Sequence, residues 1–511
     1  MSAGGVSLLD GVVIVAYFAA MAWLGARVRR KQRNSSEYFL GRQSIPAWAL
    51  AMSMFATILS TWAFLALPGK GFQSNLQYLM AVSMVPLAAW VSARWIVPIF
   101  RERVKLSAYQ YLHDRFGVVA RLYGNLAFII VHFGKMAAVL YLLCLAIAGM
   151  TGWNIFVLIA VIGLSSVIFS FLGGIEGVIW TEVVEGFLLL MAAIIAIGFI
   201  FAAAPGGVGA VVGTAVDAGK FKLVSFDFAW DRSNTIVLLF FSANYYLQKY
   251  ITDQTIVQRM LLAPSHEQAA RAIWRSSLLV LGIWMLFMSV GVLLWAFYAL
   301  QPGLLPDSVR GAPDRVFPHF IGHSLPNGVS GLLLAALIAG TMSTLSADLN
   351  SLGSVLLEDY YKRIFRASGE VRQLWFSRIV TLVTGIACVL LAMGFTRIQS
   401  MADATLDFVS LVGGGVLGMF LLGICTRRAT AKGLYVGIAC SVVFVLWAHF
   451  CGPGKNSLPI LPRCPLHTLW VGLLGNVVVF VVGYIASRLL SSPRVVAPAI
   501  FYEQSKSSVY K

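Results

Sequence analysis

The chain has 511 residues, of which 59% are hydrophobic and only 12% charged, with a mean hydropathy of +0.82. A soluble protein carries about a quarter charged residues, so a water-soluble enzyme or binding domain of this size is excluded. The formal charge of +17 does not describe a nucleic-acid surface, because Lys and Arg sit in short segments between apolar stretches, mostly in alternate ones, as the bias of positive charge to the cytoplasmic side predicts.

Apolar stretches long enough to cross ~30 Å of hydrocarbon recur from end to end. They fall at 7–28, 46–67, 77–100, 119–149, 154–172, 178–204, 233–252, 274–300, 329–357, 376–395, 400–424, 433–451 and 467–488. The pattern predicts an all-α integral membrane protein of about thirteen spans. The first span is followed, not preceded, by its basic cluster (Arg27, Arg29, Arg30, Lys31, Arg33). That order predicts a retained helix with its N-terminus outside, not a cleaved signal peptide. Thirteen crossings then leave the C-terminus in the cytoplasm, and the basic segments 101–121 and 362–378 also fall inside.

The spans divide the chain into an extra helix with a basic loop (1–45), a first block of five (46–204), an outside loop (205–232), a second block of five (233–424), two more helices (425–488) and a tail (489–511). Because five is odd, the second block must run inverted across the membrane. Inverted five-helix repeats hold their substrate at mid-membrane, where helices break. Cys144, Cys388, Cys425 and Cys440 lie in spans and are expected to pack there. Cys451 and Cys464 flank a loop placed outside, where either a disulfide or two free thiols would suit the compartment.

Two segments interrupt the apolar pattern. Residues 53–71 place Thr57, Ser60 and Thr61 in one span that ends in Pro68, Gly69 and Gly71; residues 339–354 carry Thr341, Ser343, Thr344, Ser346, Asp348, Asn350 and Ser351. Polar groups at membrane depth are costly unless they line a cavity or are buried in protein. Sodium, a hard cation, is satisfied by neutral oxygens from unwound backbone and hydroxyls. Ser343 and Thr344 are adjacent, and Gly340 precedes Ser343 by about one turn. The alternative is that small and hydroxylated residues simply let helices pack closely.

Four segments resemble the sodium/solute symporter family of sugar, proline, iodide, monocarboxylate and sialic acid carriers. They are SSEYFLGRQSIPAWALAMSMFATILS, GGIEGVIWTEVVEG, TDQTIVQRMLLAPSHEQAARA and MSTLSADLNSLGSVLLEDYYKR, in the family's order across nearly the whole chain. The resemblance implies a leucine-transporter-type inverted repeat with spans two to eleven as its core. It also implies a sodium site from backbone oxygens of Ala56, Leu59 and Gly340 and the hydroxyls of Ser343 and Thr344. A second sodium site, present in some members, would here use Glu182 with Ser343 and Ser346. Glu for the usual Asp, and Ala347 in place of a further hydroxyl, count against it. Glu182 could instead favour the dipole of its helix start.

Lys135, near the middle of the fourth span, stands about where the sialic acid branch has a carboxylate-clamping arginine. Lys offers a point charge where Arg offers a bidentate fork. It is either an anion-binding group or a structural lysine paired with a helix-end carbonyl or a buried acid, and His132 shares its helix face. Ser60, Thr61, Gln77, Asn244 and Gln248 are the remaining candidates for substrate contacts. Trp62, Phe64, Tyr245 and Tyr246 are either gates or packing, and Asp403 and Asp407 either serve an outer gate or favour a helix dipole.

GGIEG and GGG lack the strand-to-helix setting of a nucleotide loop, and no Walker or zincin motif occurs, so neither an enzyme nor an ATP-driven pump is indicated. The expectation is Na+-coupled symport of a small polar solute across a prokaryotic inner membrane. An organic anion such as sialic acid is preferred to a neutral sugar or a proline-type amino acid. A non-transporting sensor and a passive channel are lesser alternatives. The partners are the solute, sodium and the lipid bilayer, with no nucleic acid; the oligomeric state is left open, a monomer included.

Overall fold

The structure, a computed structural model, describes residues 7–29, 35–41, 44–59, 61–104, 106–225, 227–231, 234–365, 369–395, 414–452 and 462–490. The longer helices are α1 (Leu8–Arg29), α2 (Ala47–Ile58), α3 (Thr61–Gln73), α4 (Leu76–Arg103, including a short π-turn), α5 (Val118–Thr151), α6 (Ile155–Ala203), α7 (Gly207–Asp217) and α8 (Thr235–Ile251). They continue with α9 (Gln254–Leu262), α10 (His266–Leu300), α11 (Val316–Ser324), α12 (Val329–Leu356), α13 (Glu370–Gly394), α14 (Val416–Cys425), α15 (Ala431–Phe450) and α16 (Thr468–Leu490). Among the described residues nine helical runs are long and apolar enough to cross a membrane, or ten when the bent pair α2–α3 counts as one.

The difference from the expected thirteen has local causes. α6 runs for 49 residues, roughly 70 Å at 1.5 Å per residue, more than twice the hydrocarbon thickness. It is broken at Gly174, whose φ of 53° and ψ of −163° suit a residue without a Cβ. Both expected spans, 154–172 and 178–204, therefore lie within it. α8 has 17 residues and continues into α9 only after a break. The expected span 400–424 lies largely outside the described residues, which resume at 414 and reach α14.

Two breaks position the centre. α2 and α3 are bent by 65°, and Leu59, at φ −82° and ψ 138°, is extended where α2 ends. The second break separates α8 from α9 at Thr252 and Asp253. There the Asp253 carboxylate accepts the Thr255 N–H at 2.9 Å and caps α9, satisfying one of the donors that a new helix start leaves bare.

α12 is the axis of the bundle. Within its span, 89% of the residues of the most apolar window are buried, against 33% for α13 and 22% for α1. Its Gly, Ala, Ser and Thr side chains let α5, α6 and α1 approach closely. α3 crosses α10 just as tightly. A Cβ on Gly291 would meet the Pro68 carbonyl oxygen, and one on Gly71 would meet that of Met288, both far inside van der Waals contact. Gly291→Ala should therefore cost about 1–3 kcal/mol and lower the melting temperature of the detergent-solubilised protein. An unchanged melting temperature would show that the two helices can part without penalty.

On one rim, Lys220 follows α7 and donates to the carbonyls of Phe72 (2.8 Å) and Ser74 (2.7 Å) at the end of α3, with its ammonium 4.5 Å from the Trp295 ring centroid. Burial holds its pKa below the usual lysine range. All six cysteines are free thiols. Cys451 and Cys464 are buried side by side, joined by a backbone bond from the Cys464 N–H to the Cys451 carbonyl (2.7 Å), without a disulfide. Cys425 and Cys440, expected to pack inside, are exposed on the bundle surface. In a bilayer, apolar side chains serve an outward face as well as an inward one.

Candidate functional site

The first break opens towards the middle of α12. Leu59 no longer continues the helix, so carbonyls in the last turn of α2 have no partner further along it. The Thr344 hydroxyl lies 3.5 Å from the Leu59 carbonyl oxygen and donates to the Gly340 carbonyl at 3.0 Å. The Thr61 hydroxyl bonds that of Thr341 and lies 3.5 Å from the Leu337 carbonyl oxygen. Ser343 is fully buried, and its hydroxyl oxygen has no hydrogen-bond partner.

Leaving a buried hydroxyl unpaired costs about 1–3 kcal/mol, so a group of this kind calls for a ligand. Ala56, also fully buried, precedes the break on α2, which packs on α12. Carbonyl and hydroxyl oxygens without a fixed charge form a donor set that fits a hard monovalent cation such as Na+.

Glu182 does not join this set. Its carboxylate is fully buried and accepts from Arg259 Nη2 (2.6 Å), from the Thr57 hydroxyl (3.1 Å) and from the Ser53 hydroxyl. Arg259 is itself fully buried, and donates further to Ser53 (2.7 Å) and to the Thr255 carbonyl. The expected grouping of Glu182 with Ser343 and Ser346 is thus replaced by an ion pair. A guanidinium already neutralises the acid, and the Ser346 hydroxyl donates to the Ser343 carbonyl at 3.1 Å. The pair joins α6 to α9, beyond the second break, and to α2, before the first.

Lys135 is also engaged. Its ammonium lies 2.8 and 3.1 Å from the two carboxylate oxygens of Asp348 on α12. The buried-acid alternative is what the structure shows, although 21% of the Lys135 side chain remains exposed. His132 sits beside it, with Nδ1 2.8 Å from Asp348 and Nε2 3.2 Å from Asp253; Lys249 closes the group on Asp253.

The other candidates scatter. Gln77 donates to the Thr235 hydroxyl at 3.2 Å, and Asn244 accepts from Asn476 of α16 at 2.9 Å, so both tie helices together. Gln248 is half-buried on α8, and its carbonyl accepts the N–H of Thr252 at the break. Ser60, Asp403 and Asp407 lie outside the described residues. Phe64 packs between Phe287 and Phe317, and Trp62 lies against the same core. Tyr246 is buried and Tyr245 partly exposed, in edge contact at 5.1 Å.

Sequence reasoning passed over Arg259 and Asp253 and gave Asp348 no role. The signal for Asp253 was present, since Asp two residues before Thr and ahead of a helix is a capping pattern. Arg259 sits among residues that read as a cytoplasmic loop, and nothing local marks that loop as folding back into the bundle.

Residues 38–440 match the sodium:solute symporter family. The sodium/sialic acid symporter SiaT of Proteus mirabilis is 32% identical, with 94% of this chain and 95% of that one covered. The sodium/sialic acid symporter NanT of Aliivibrio fischeri is 30% identical, with 96% and 95% covered. A solved Na+-coupled sialic acid symporter, in a substrate-bound outward-open state described as revealing a novel Na+ site, superposes with a TM-score of 0.88 at 30% identity, covering 96% of this chain and all of that one. Mhp1, a nucleobase-cation-symport-1 family transporter, shares the fold at a TM-score of 0.59 and 15% identity. With two broken helices set against a hydroxyl-rich axis, and with this match over most of its length, the chain belongs to the sodium:solute symporter family.

Proposed function

We propose that the chain imports an organic anion, such as sialic acid, by Na+-coupled alternating access. The observation that carries the reading is the unpartnered, buried Ser343 hydroxyl, next in the chain to Thr344, whose own hydroxyl lies 3.5 Å from the Leu59 carbonyl oxygen at the opened end of α2. Sodium, held by Ala56, Leu59, Gly340, Ser343 and Thr344, would fix the first broken helix to α12. The solute, of the kind that the two bacterial relatives are named for, would bind beside it, near Lys135.

The division into inverted halves at 46–204 and 233–424 is supported by a broken helix opening each half. Counting α6 as two crossings, α8–α9 as one and α14 as part of another restores the expected thirteen, with the N-terminus outside and the C-terminus in the cytoplasm of a bacterial inner membrane. Glu182 then acts as a clamp with Arg259, which must part when the inner side opens.

Coupling is reciprocal, so sodium and solute each raise the affinity for the other. At −100 mV one sodium charge gains about 2.3 kcal/mol, enough for roughly fifty-fold accumulation of a neutral solute. A monoanion moving with one sodium is electroneutral and must draw on the sodium concentration gradient or on a second ion. A neutral sugar or zwitterion is the second reading, favoured by the fact that Asp348 already occupies Lys135.

Uptake of labelled N-acetylneuraminate into proteoliposomes should rise at least about tenfold when an inward Na+ gradient replaces equal Na+ on both sides. Uptake indifferent to the gradient would leave a passive pathway, and full competition by neutral sugars would overturn the anion reading.

A further inference from the structure

Glu185 follows Glu182 by about one turn of α6, and it is 2% exposed. Among the described residues no Lys or Arg pairs with it. The Tyr17 hydroxyl of α1 lies 3.3 Å from its Oε1, and its Oε2 has no hydrogen-bond partner. The carboxylate lines a cavity of about 10 Å³, close to the space that one water-sized particle takes. Met21, Phe169 and Met342 form the apolar wall of this cavity, and the hydroxyls of Ser166, Thr181 and Ser346 complete it. Each hydroxyl gives its proton to a carbonyl of its own helix: Ser166 to Ile162 (2.9 Å), Thr181 to Val178 (2.9 Å) and Ser346 to Ser343 (3.1 Å). A hydroxyl has one proton and two lone pairs, so what these three have left for the cavity is lone pairs. Oxygens of α6 and α12 thus meet there as acceptors, and no lining group donates to the carboxylate.

We propose that this cavity binds Na+, held by Glu185 Oε2 with the hydroxyl oxygens of Ser166, Thr181 and Ser346, at a site separate from the cage at the first break. Oxygen acceptors that gather without a donor suit a hard cation, and a carboxylate buried without a counter-charge is strongly destabilising. One carboxylate balances one charge, so a monovalent ion leaves the site neutral, whereas a divalent ion would leave a buried excess. The acid distinguishes this site from the grouping of Glu182 with Ser343 and Ser346: Arg259 already neutralises Glu182, and Glu185 is the carboxylate left for an ion. Tyr17 reaches the acid and Met21 lines the cavity, so the ion also seats α1, which lies outside both five-helix blocks, against α6 and α12. Near the start of α1, Asp10 makes a first fastening to α12 by accepting the N–H groups of Gly328 and Gly331, each at 2.7 Å. The ion is the second, further along the helix, whatever solute the protein carries.

The test is equilibrium binding of radiolabelled Na+ to the purified protein in detergent, with choline balancing the ionic strength at one fixed neutral pH. Glu185→Gln should lower the number of ions bound at saturation by one per molecule. The rise in melting temperature that Na+ gives the wild type should shrink with it. In Na+-free buffer the same variant should melt no lower than the wild type, because a neutral amide replaces an acid deprived of its ion. Thr181→Val, which keeps the shape of the side chain, should keep the count and weaken the binding of one ion about tenfold or more. A Glu185→Gln variant that binds as many ions as the wild type overturns the proposal, since the acid then holds a proton in place of the ion. If Glu185→Gln does not fold, Thr181→Val decides, and an unchanged Na+ binding curve overturns the proposal. Ser343→Ala reads the cage at the first break in the same assay, so a failure of the transport reading shows there and leaves the ion at Glu185 in place.

Discussion

Arg259→Met is expected to destabilise the protein by about 3–5 kcal/mol, because it leaves a fully buried carboxylate without its cation. Glu182 and Arg259 are both fully buried and 2.6 Å apart, with Ser53 and Thr57 completing the carboxylate's hydrogen bonds. Removing both charges should be far milder than removing one. The double variant Glu182→Leu with Arg259→Met is expected to recover most of the lost thermal stability, since a buried ion pair exchanged for apolar side chains is often close to neutral. Transport should not recover with it, because the pair joins α6 to both broken helices and its loss lets the inner side open without sodium. Thermal unfolding in detergent reads the first effect and gradient-driven uptake the second. A single Arg259 variant as stable as wild type would mean that the acid is compensated elsewhere.

The second large effect concerns the cage. Ser343→Ala should raise the Na+ concentration for half-maximal uptake by about ten- to a hundredfold, the loss of one ligand to a charged group being worth about 1.5–3 kcal/mol. Stability should barely change, because the Ser343 hydroxyl makes no hydrogen bond within the protein. Thr344→Val tests the neighbouring ligand with the opposite bias, since its hydroxyl also bonds the Gly340 carbonyl. Ser330→Ala, at the far end of the same helix, is the control and should leave the Na+ dependence untouched. An unaltered Na+ curve in Ser343→Ala would dismiss this helix as the ion's seat.

Most of the architecture was legible because a bilayer demands long apolar runs, and such runs are visible in one dimension. The hydroxyls of α12 and the Thr61 region stood out for the same reason, being polar where polarity is costly. What stayed hidden were the partners. Lys135 was visible as a buried cation, but Asp348 lies 213 positions away, and only packing of α5 against α12 brings them together. Glu182 was visible as a buried acid, yet its fate depends on Arg259, on a helix that reads as a loop. The break at Gly174, by contrast, was legible, since the expected spans end at 172 and resume at 178 on either side of it.

The two breaks differ in a way that bears on how the transporter lets go of its cargo. The one at Thr252 and Asp253 holds an ion pair between Asp253 and Lys249, whereas the Leu59 carbonyl lies against a neutral group, the hydroxyl of Thr344. A pocket of dipoles has no counter-charge to keep a metal ion from leaving. As the proposed seat of sodium it would grip loosely, exchange fast and empty whenever the adjoining water is poor in the ion, which is the condition inside a cell that pumps sodium out.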